Sequence, residues 1–311
     1  GRIACHLPWD ADASTPKAAD WLESSFPGWA RSMLEDWAAG RFACFDQVVF
    51  SRGEDGAHRL YYYVCELQRR GRIRGPRPLI FDIARIPRQS SRQHTVAALR
   101  QLSEQLAIDE AGLAAGIDRA NGLRRLFGRI ETQRRGRGSL YEKIVRASLF
   151  ADLSTVLRDW SPDDGAAAAG SVLLAGSAPP DDRLHRAVER AGWRVAGELH
   201  ERSLSRLGSE VDPRARDLMA EVAHRWLQQS FGVRDFADPG QRLMEAVRRT
   251  GADAVVLWLT REDEALAWHV PTQRRVLAAA GVPALTLTAR RWDARDGAAA
   301  DIARFLQDLR P

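Results

Sequence analysis

The chain has 311 residues, 45% of them hydrophobic and 28% charged, and 46 Lys+Arg against 41 Asp+Glu give a net charge of +5. This is the composition of a globular protein long enough for two domains, and no apolar run reaches the roughly 18–20 residues of a membrane span. The arginines are spread over many segments, with one cluster at Arg134-Arg135-Gly136-Arg137, so no nucleic-acid partner is expected. No secretory leader is visible and the cytoplasm is the expected compartment.

In chain order, Arg2 to Leu7 is a short apolar segment with strand character. Thr15-Pro16 opens a helix through Trp21 and Leu22, and Pro27 opens another. Trp29, Met33 and Trp37 share a core face of the second helix at i, i+4, i+8. Phe42 to Ser51 reads as a strand, Ala57 to Arg70 as a helix, Pro78 to Ala84 as a strand and Ser91 to Leu106 as a helix. Tyr61, Tyr62 and Tyr63 cannot share one helix face, so at least one is expected in the core. From Asp109 to Trp160 the pattern is helical only, broken at Gly136/Gly138, and Ser161–Gly170 is the best linker candidate.

The run Ser171–Arg202 then reads as one βαβ unit. Val172 to Ala175 form an apolar strand, and Pro179-Pro180-Asp181-Asp182 signals a helix start. Leu184, Ala187, Val188 and Ala191 lie on one face, Gly192 closes the helix, and Trp193 to Leu199 form the next strand. Asp212-Pro213 and Asp238-Pro239 open helices, Ala254–Leu259 and Pro283–Leu287 are strands, and a helix from Gly297 to Leu309 ends the pattern. The expected fold is α/β, with two doubly wound parallel-sheet domains (1–108 and 166–311) joined by a helical hairpin (109–165).

Cys5, Cys44 and Cys65 have no CxxC spacing and read as buried structural thiols. The seven histidines show no HxH or HExxH spacing, so no metal site is expected. There is no GxGxxG or GxxxxGK[ST] to hold a nucleotide. Gly176-Ser177 ends a strand and could offer backbone N–H groups to a phosphate, although Asp181 and Asp182 follow closely and favour a plain turn.

Several stretches, in a fixed order, resemble the 2-hydroxyacyl-CoA dehydratase/benzoyl-CoA reductase family: PGWARSMLEDW at Pro27–Trp37, CFDQVVFSRGEDGAHRL at Cys44–Leu60, PLIFDIARIPR at Pro78–Arg88, the GSAPPDDRL turn at Gly176–Leu184, GADAVVLWLTRE at Gly251–Glu262, AGVPALTL at Ala280–Leu287 and IARFLQDL at Ile302–Leu309. The resemblance implies paired subunits that act on acyl-CoA thioesters, as a dehydratase (lyase) or a reductase, with an iron–sulfur cluster held by three cysteines on three loops. Soft thiolates hold such clusters, and here the matching positions are Phe26, Glu54 and Arg261/Glu262. The chain is therefore expected to carry no cluster of its own, to bind an acyl-CoA, and to form a homo- or heterodimer.

In the vacated site the resemblance brings together Arg52, Glu54, Asp55, Arg261, Glu262 and Asp263. Glu54 and Asp55, with His58 four residues beyond Glu54, are the candidate acid–base groups. Arg52, Ser177, Arg261 and Glu262 are the candidate substrate contacts. The same charges also read as an interdomain salt-bridge brace in a non-catalytic partner subunit.

Overall fold

The structure is a computed structural model that describes residues 4–84, 86–132, 134, 136–150, 168–228 and 237–309, apart from the side chains of 204, 205 and 228. The first part runs α1 (Pro16–Trp21), α2 (Gly28–Ala38), β1 (Gln47–Ser51), α3 (Asp55–Arg69), β2 (Arg77–Phe81) and α4 (Gln89–Gln105). A helical hairpin follows, α5 (Glu110–Thr132) and α6 (Gly138–Phe150). The last part runs β3 (Ser171–Gly176), α7 (Arg183–Arg190), β4 (Arg194–Leu199), α8 (Leu218–Gln228), α9 (Pro239–Thr250), β5 (Ala254–Thr260), α10 (Glu264–Ala267), α11 (Val270–Ala279), β6 (Ala284–Arg290) and α12 (Ala298–Asp308). The expected linker and the end of the second hairpin helix lie mostly outside the described residues.

Both sheets are parallel. β1 pairs with β2, and the second sheet has the order β4-β3-β5-β6. The chain moves outward from β3 to β4 and then returns to the other side of β3, so the switch point lies between β3 and β5. In open α/β sheets the crevice beyond the carboxyl ends of the strands at such a point is where ligands bind. Here the crevice is bounded by the turns at Ser177 and Arg261.

The central strands are apolar because helices cover both faces. Val172, Leu184, Val188, Ala254, Val256 and Ile302 pack on one side, and Leu173, Leu243, Val255, Leu257 and Leu277 on the other. Each fully buried aliphatic side chain is worth about 1.5–3 kcal/mol. Gly176 has φ +110°, and a Cβ there would overlap the Trp258 carbonyl oxygen, so this turn admits only glycine.

The first part has a separate core around Phe26, Met33, Leu34, Trp37, Phe50 and Leu60, which also receives Leu149 from α6 and Trp292 from the turn after β6. Met33 and Trp37 are thus spent inside the fold and supply no docking surface.

Several expectations are corrected. Residues 4–10 form no strand, and 41–44 are a turn, so β1 is only Gln47–Ser51. For the same reason Cys5 and Cys44 are exposed, while Cys65, on α3, is half-buried. None of the three tyrosines is buried: Tyr61 and Tyr63 flank the core and Tyr62 is exposed. The helix expected from Asp212-Pro213 starts only at Leu218, where Asp217 Oδ1 accepts from the Ala220 N–H at 3.0 Å.

Candidate functional site

Glu54 stands at the end of the β1 turn, immediately before α3, with extended backbone and no capping hydrogen bond from its side chain. Its carboxyl is therefore free of the helix. A Cβ on Gly56 would lie 3.0 Å from Glu54 Oε1, Pro27 Cγ and Trp29 Cζ2 alike, so the loop after Phe26 and the loop at Glu54 meet there. Burial pushes the Glu54 carboxyl well above the carboxylate range; Glu201 and Asp263 push it further, Arg202 opposes, and Asp55 adds a little. Loops after β1, β4 and β5 thus converge on one carboxyl. Glu54 is ringed by protein yet keeps accessible surface, as a residue lining a deep cleft does.

The other expected residues divide. Asp55 is exposed and pairs with Arg59 one turn on, at 3.6 Å. Arg52 donates to Asp82 at 3.0 Å just beyond the carboxyl ends of β1 and β2, where His94 also meets Asp82 at 3.2 Å, so its guanidinium is engaged by a carboxylate. His58 does not pair with the Glu54 carboxyl: its backbone N–H donates to the Glu54 carbonyl at 3.1 Å, its ring packs on Tyr62, and its Nε2 is enclosed without a partner. Ser177 is buried, its N–H donates to the Trp258 carbonyl at 2.8 Å and its Oγ accepts from the Thr260 N–H at 3.0 Å. Both groups tie β3 to β5, and the N–H is not offered to a phosphate.

On the third loop, Arg261 is exposed, and its backbone N–H donates to the Arg290 carbonyl at 2.9 Å. Glu262 is raised by burial, against the Thr260 hydroxyl that bonds it, and its Oε2 is enclosed without a partner. The structure brings Glu54, Asp263, Glu201 and Arg202 together; neither Glu201 nor Arg202 was expected there.

The position matching the first ligand is filled by packing. Phe26 is 1% exposed, its ring meets Tyr63 edge-on at 5.1 Å, and the Arg59 guanidinium lies 4.2 Å over it. Arg59 and Tyr63 both reach Glu23. Phe26, Glu54, Arg261 and Glu262 supply no sulfur, so this donor set does not fit a thiolate-held cluster.

Behind the cleft lies a buried polar network. Arg134 and His185 both meet Glu198 Oε1, at 2.8 and 2.9 Å, and His200 Nε2 lies 3.6 Å from Oε2. Glu142, on α6, completes a group whose carboxylate and ring atoms lie within 4.8 Å of those of His185 and Glu198, all three buried. Burial raises Glu142 to about 7. Arg134 and His185 outweigh burial at Glu198 and hold it well below the usual range, while burial and neighbouring cations push His200 down to about 3. The geometry would admit a metal ion, but the charge does not favour one. Arg134, Arg146, Arg202 and Arg206 already act on these two glutamates, so two further positive charges would be uncompensated. Arg134, the first residue of the arginine cluster, is the buried counter-ion of Glu198.

A parallel sheet with a switch-point crevice, a second parallel sheet and a helical hairpin define an α/β protein of two parallel-sheet domains. Residues 5–305 match the family model described as 2-hydroxyglutaryl-CoA dehydratase, D-component, and the chain belongs to that family. No curated protein matches it.

Proposed function

We propose that the chain is a subunit of a 2-hydroxyacyl-CoA dehydratase or acyl-CoA reductase type of complex, that its cleft takes an acyl-CoA thioester, and that it does so without its own iron–sulfur cluster. The observation that carries this reading is Glu54: a carboxyl stands where the family pattern has the second cluster ligand, and loops after β1, β4 and β5 act on it. A carboxyl raised well above its ordinary range favours its neutral form, which can donate a proton to a hydroxyl or thioester oxygen. The family description names a component, and we propose a dimer with a related subunit, or with a second copy. Exposed Tyr62, on α3, and Trp268, just beyond α10, are available to such a partner.

Calorimetric titration with short-chain and 2-hydroxy acyl-CoA esters tests this reading. Saturable binding is expected, weakened by Glu54→Ala. No binding of any ester contradicts it and favours a second reading, a non-catalytic partner whose cleft is an interface. The packing of Phe26 under Arg59 and Tyr63, which fills one ligand position with core, supports that second reading.

A further inference from the structure

Three arginines lie at the cleft and just behind it with no carboxylate in contact among the described residues. Arg202 lies 4.5 Å over the Trp9 ring and donates to the Ala178 carbonyl at 3.0 Å. Arg146 lies 5.0 Å over the same ring and donates to the Pro180 carbonyl. Arg206 lies 5.0 Å over Phe127 and donates to Ser148 Oγ at 3.1 Å and the Ser203 carbonyl at 3.3 Å. Carbonyls, a hydroxyl and aromatic faces orient all three guanidiniums, yet none of these partners neutralises charge. Among the described residues none of the three has a carboxylate within 4.0 Å, and Arg202 Nε is enclosed with no acceptor at all.

The surrounding charge supports the same reading. Arg202 acts on Glu54, Glu201 and Glu142, and two of these acids lean toward the neutral form: burial raises Glu142 to about 7 and Glu54 well above its usual range. His6 is pushed down to about 4, first by burial and then by Arg202 and Arg206. A buried cation cluster without full counter-charge is costly unless something else supplies it. Trp9, itself fixed by its Nε1–H donating to the Pro180 carbonyl at 2.8 Å, holds Arg202 in place before any ligand arrives, so little side-chain entropy remains to be lost on binding.

We propose that Arg202, backed by Arg146 and Arg206, is the anion site of the cleft and takes an oxyanion group of the ligand, a carboxylate or a phosphate. The planar guanidinium matches either group. Arg52, engaged by Asp82, and the exposed Arg261 do not fill this role. The proposal deepens the reading of the cleft as a ligand site without requiring that the ligand be a CoA ester. The anion has two sources, a carboxylate on the acyl chain or the phosphates of CoA.

The test is titration of the wild type, Arg202→Gln, Arg202→Lys and Arg261→Ala with glutarate, pyrophosphate, butyryl-CoA and glutaryl-CoA. At least one probe should bind the wild type, and Arg202→Gln should weaken it about 10–100-fold, the size of a lost charge-assisted hydrogen bond. Arg202→Lys should restore part of the loss, and Arg261→Ala should stay within about twofold. Glutarate binding with preference for glutaryl-CoA over butyryl-CoA assigns a carboxylate; pyrophosphate binding with no such preference assigns phosphate. Binding of glutarate or pyrophosphate through Arg202, with no binding of either ester, keeps the anion site and removes the acyl-CoA reading. If Arg202→Gln does not fold, Arg206→Gln replaces it and should weaken the same probe. Wild-type affinity in the folded variant, or a wild type that binds none of the four, overturns the proposal.

Discussion

The cleft and the network behind it are built from the same residue types and use them in opposite ways. In the network Glu198 is enclosed by Arg134, His185 and His200, and its charge is answered within the fold. In the cleft Glu54, Glu201 and Asp263 face each other with Arg202 as the opposing cation, and Arg202 itself touches carbonyl and indole, not carboxylate. Closed charge holds the helical hairpin to the second sheet. Where the three loops meet, Arg202 is the open charge, with no carboxylate in contact among the described residues. Side chains of the same chemistry thus close on one another in one place and, as proposed above, leave Arg202 for a ligand in the other.

The largest effect should come from opening the closed side. Glu198→Ala leaves Arg134 and His185 buried without their counter-charge and should cost about 3–5 kcal/mol in denaturant unfolding. Replacing both members, as Arg134→Met with Glu198→Leu, should recover much of that loss. Equal losses in the single and double variants would mean the pair is not closed as described.

The next effect is a pH slope. Glu142 is raised to about 7 in the fold, so its neutral form is favoured. Its contribution is intact below its unfolded pKa of about 4.5 and is lost as pH rises through about 7, on the order of 3 kcal/mol. His185, also raised, acts in the same direction. His200, lowered to about 3, acts oppositely: its contribution is present above its unfolded value and is lost as pH falls toward 3. Unfolding free energies measured from pH 4 to 8 should show a slope between 4.5 and 7 that Glu142→Gln flattens. Gly176→Ala should follow at about 2 kcal/mol, from positive φ and the overlap with the Trp258 carbonyl. It perturbs the switch point and neither charge cluster.

How legible these two regions were in the sequence differs for a physical reason. The βαβ unit is explicit because uninterrupted apolar runs and glycine stops specify a buried parallel strand, and Ser171–Gly176 and Ala254–Thr260 match their expected spans within a residue or so. The network was hidden by a β-bulge. Leu173 pairs with Gly197 and Val172 with Val195, so Ala196 is the extra residue. The bulge turns Glu198 onto the α7 side, where strict alternation would have put it with Ala196. Glu198 and His200, two residues apart at a strand end, were the available signal. The arginine cluster depends on Trp9, Arg146 and Arg202, which only the tertiary fold assembles. Cys5 and Cys44 were misplaced because the runs Arg2–Leu7 and Phe42–Ser51 read as strands, whereas residues 4–7 and 42–45 form none.

The smallest effect should be Arg52→Ala. Its pair with Asp82 is exposed on both sides, and its loss should change stability by less than about 1 kcal/mol and leave ligand affinity unchanged. A clear loss of binding would return Arg52 to the cleft and blur the division between closed and open charge.

The central claim is that the cleft works with a carboxyl where family members are expected to place a cluster thiolate. Iron and acid-labile sulfide measured on the chain purified anaerobically, without partners, test it most directly. The account predicts a colourless protein with negligible iron and sulfide. A brown protein with iron and sulfide near cluster stoichiometry would contradict it.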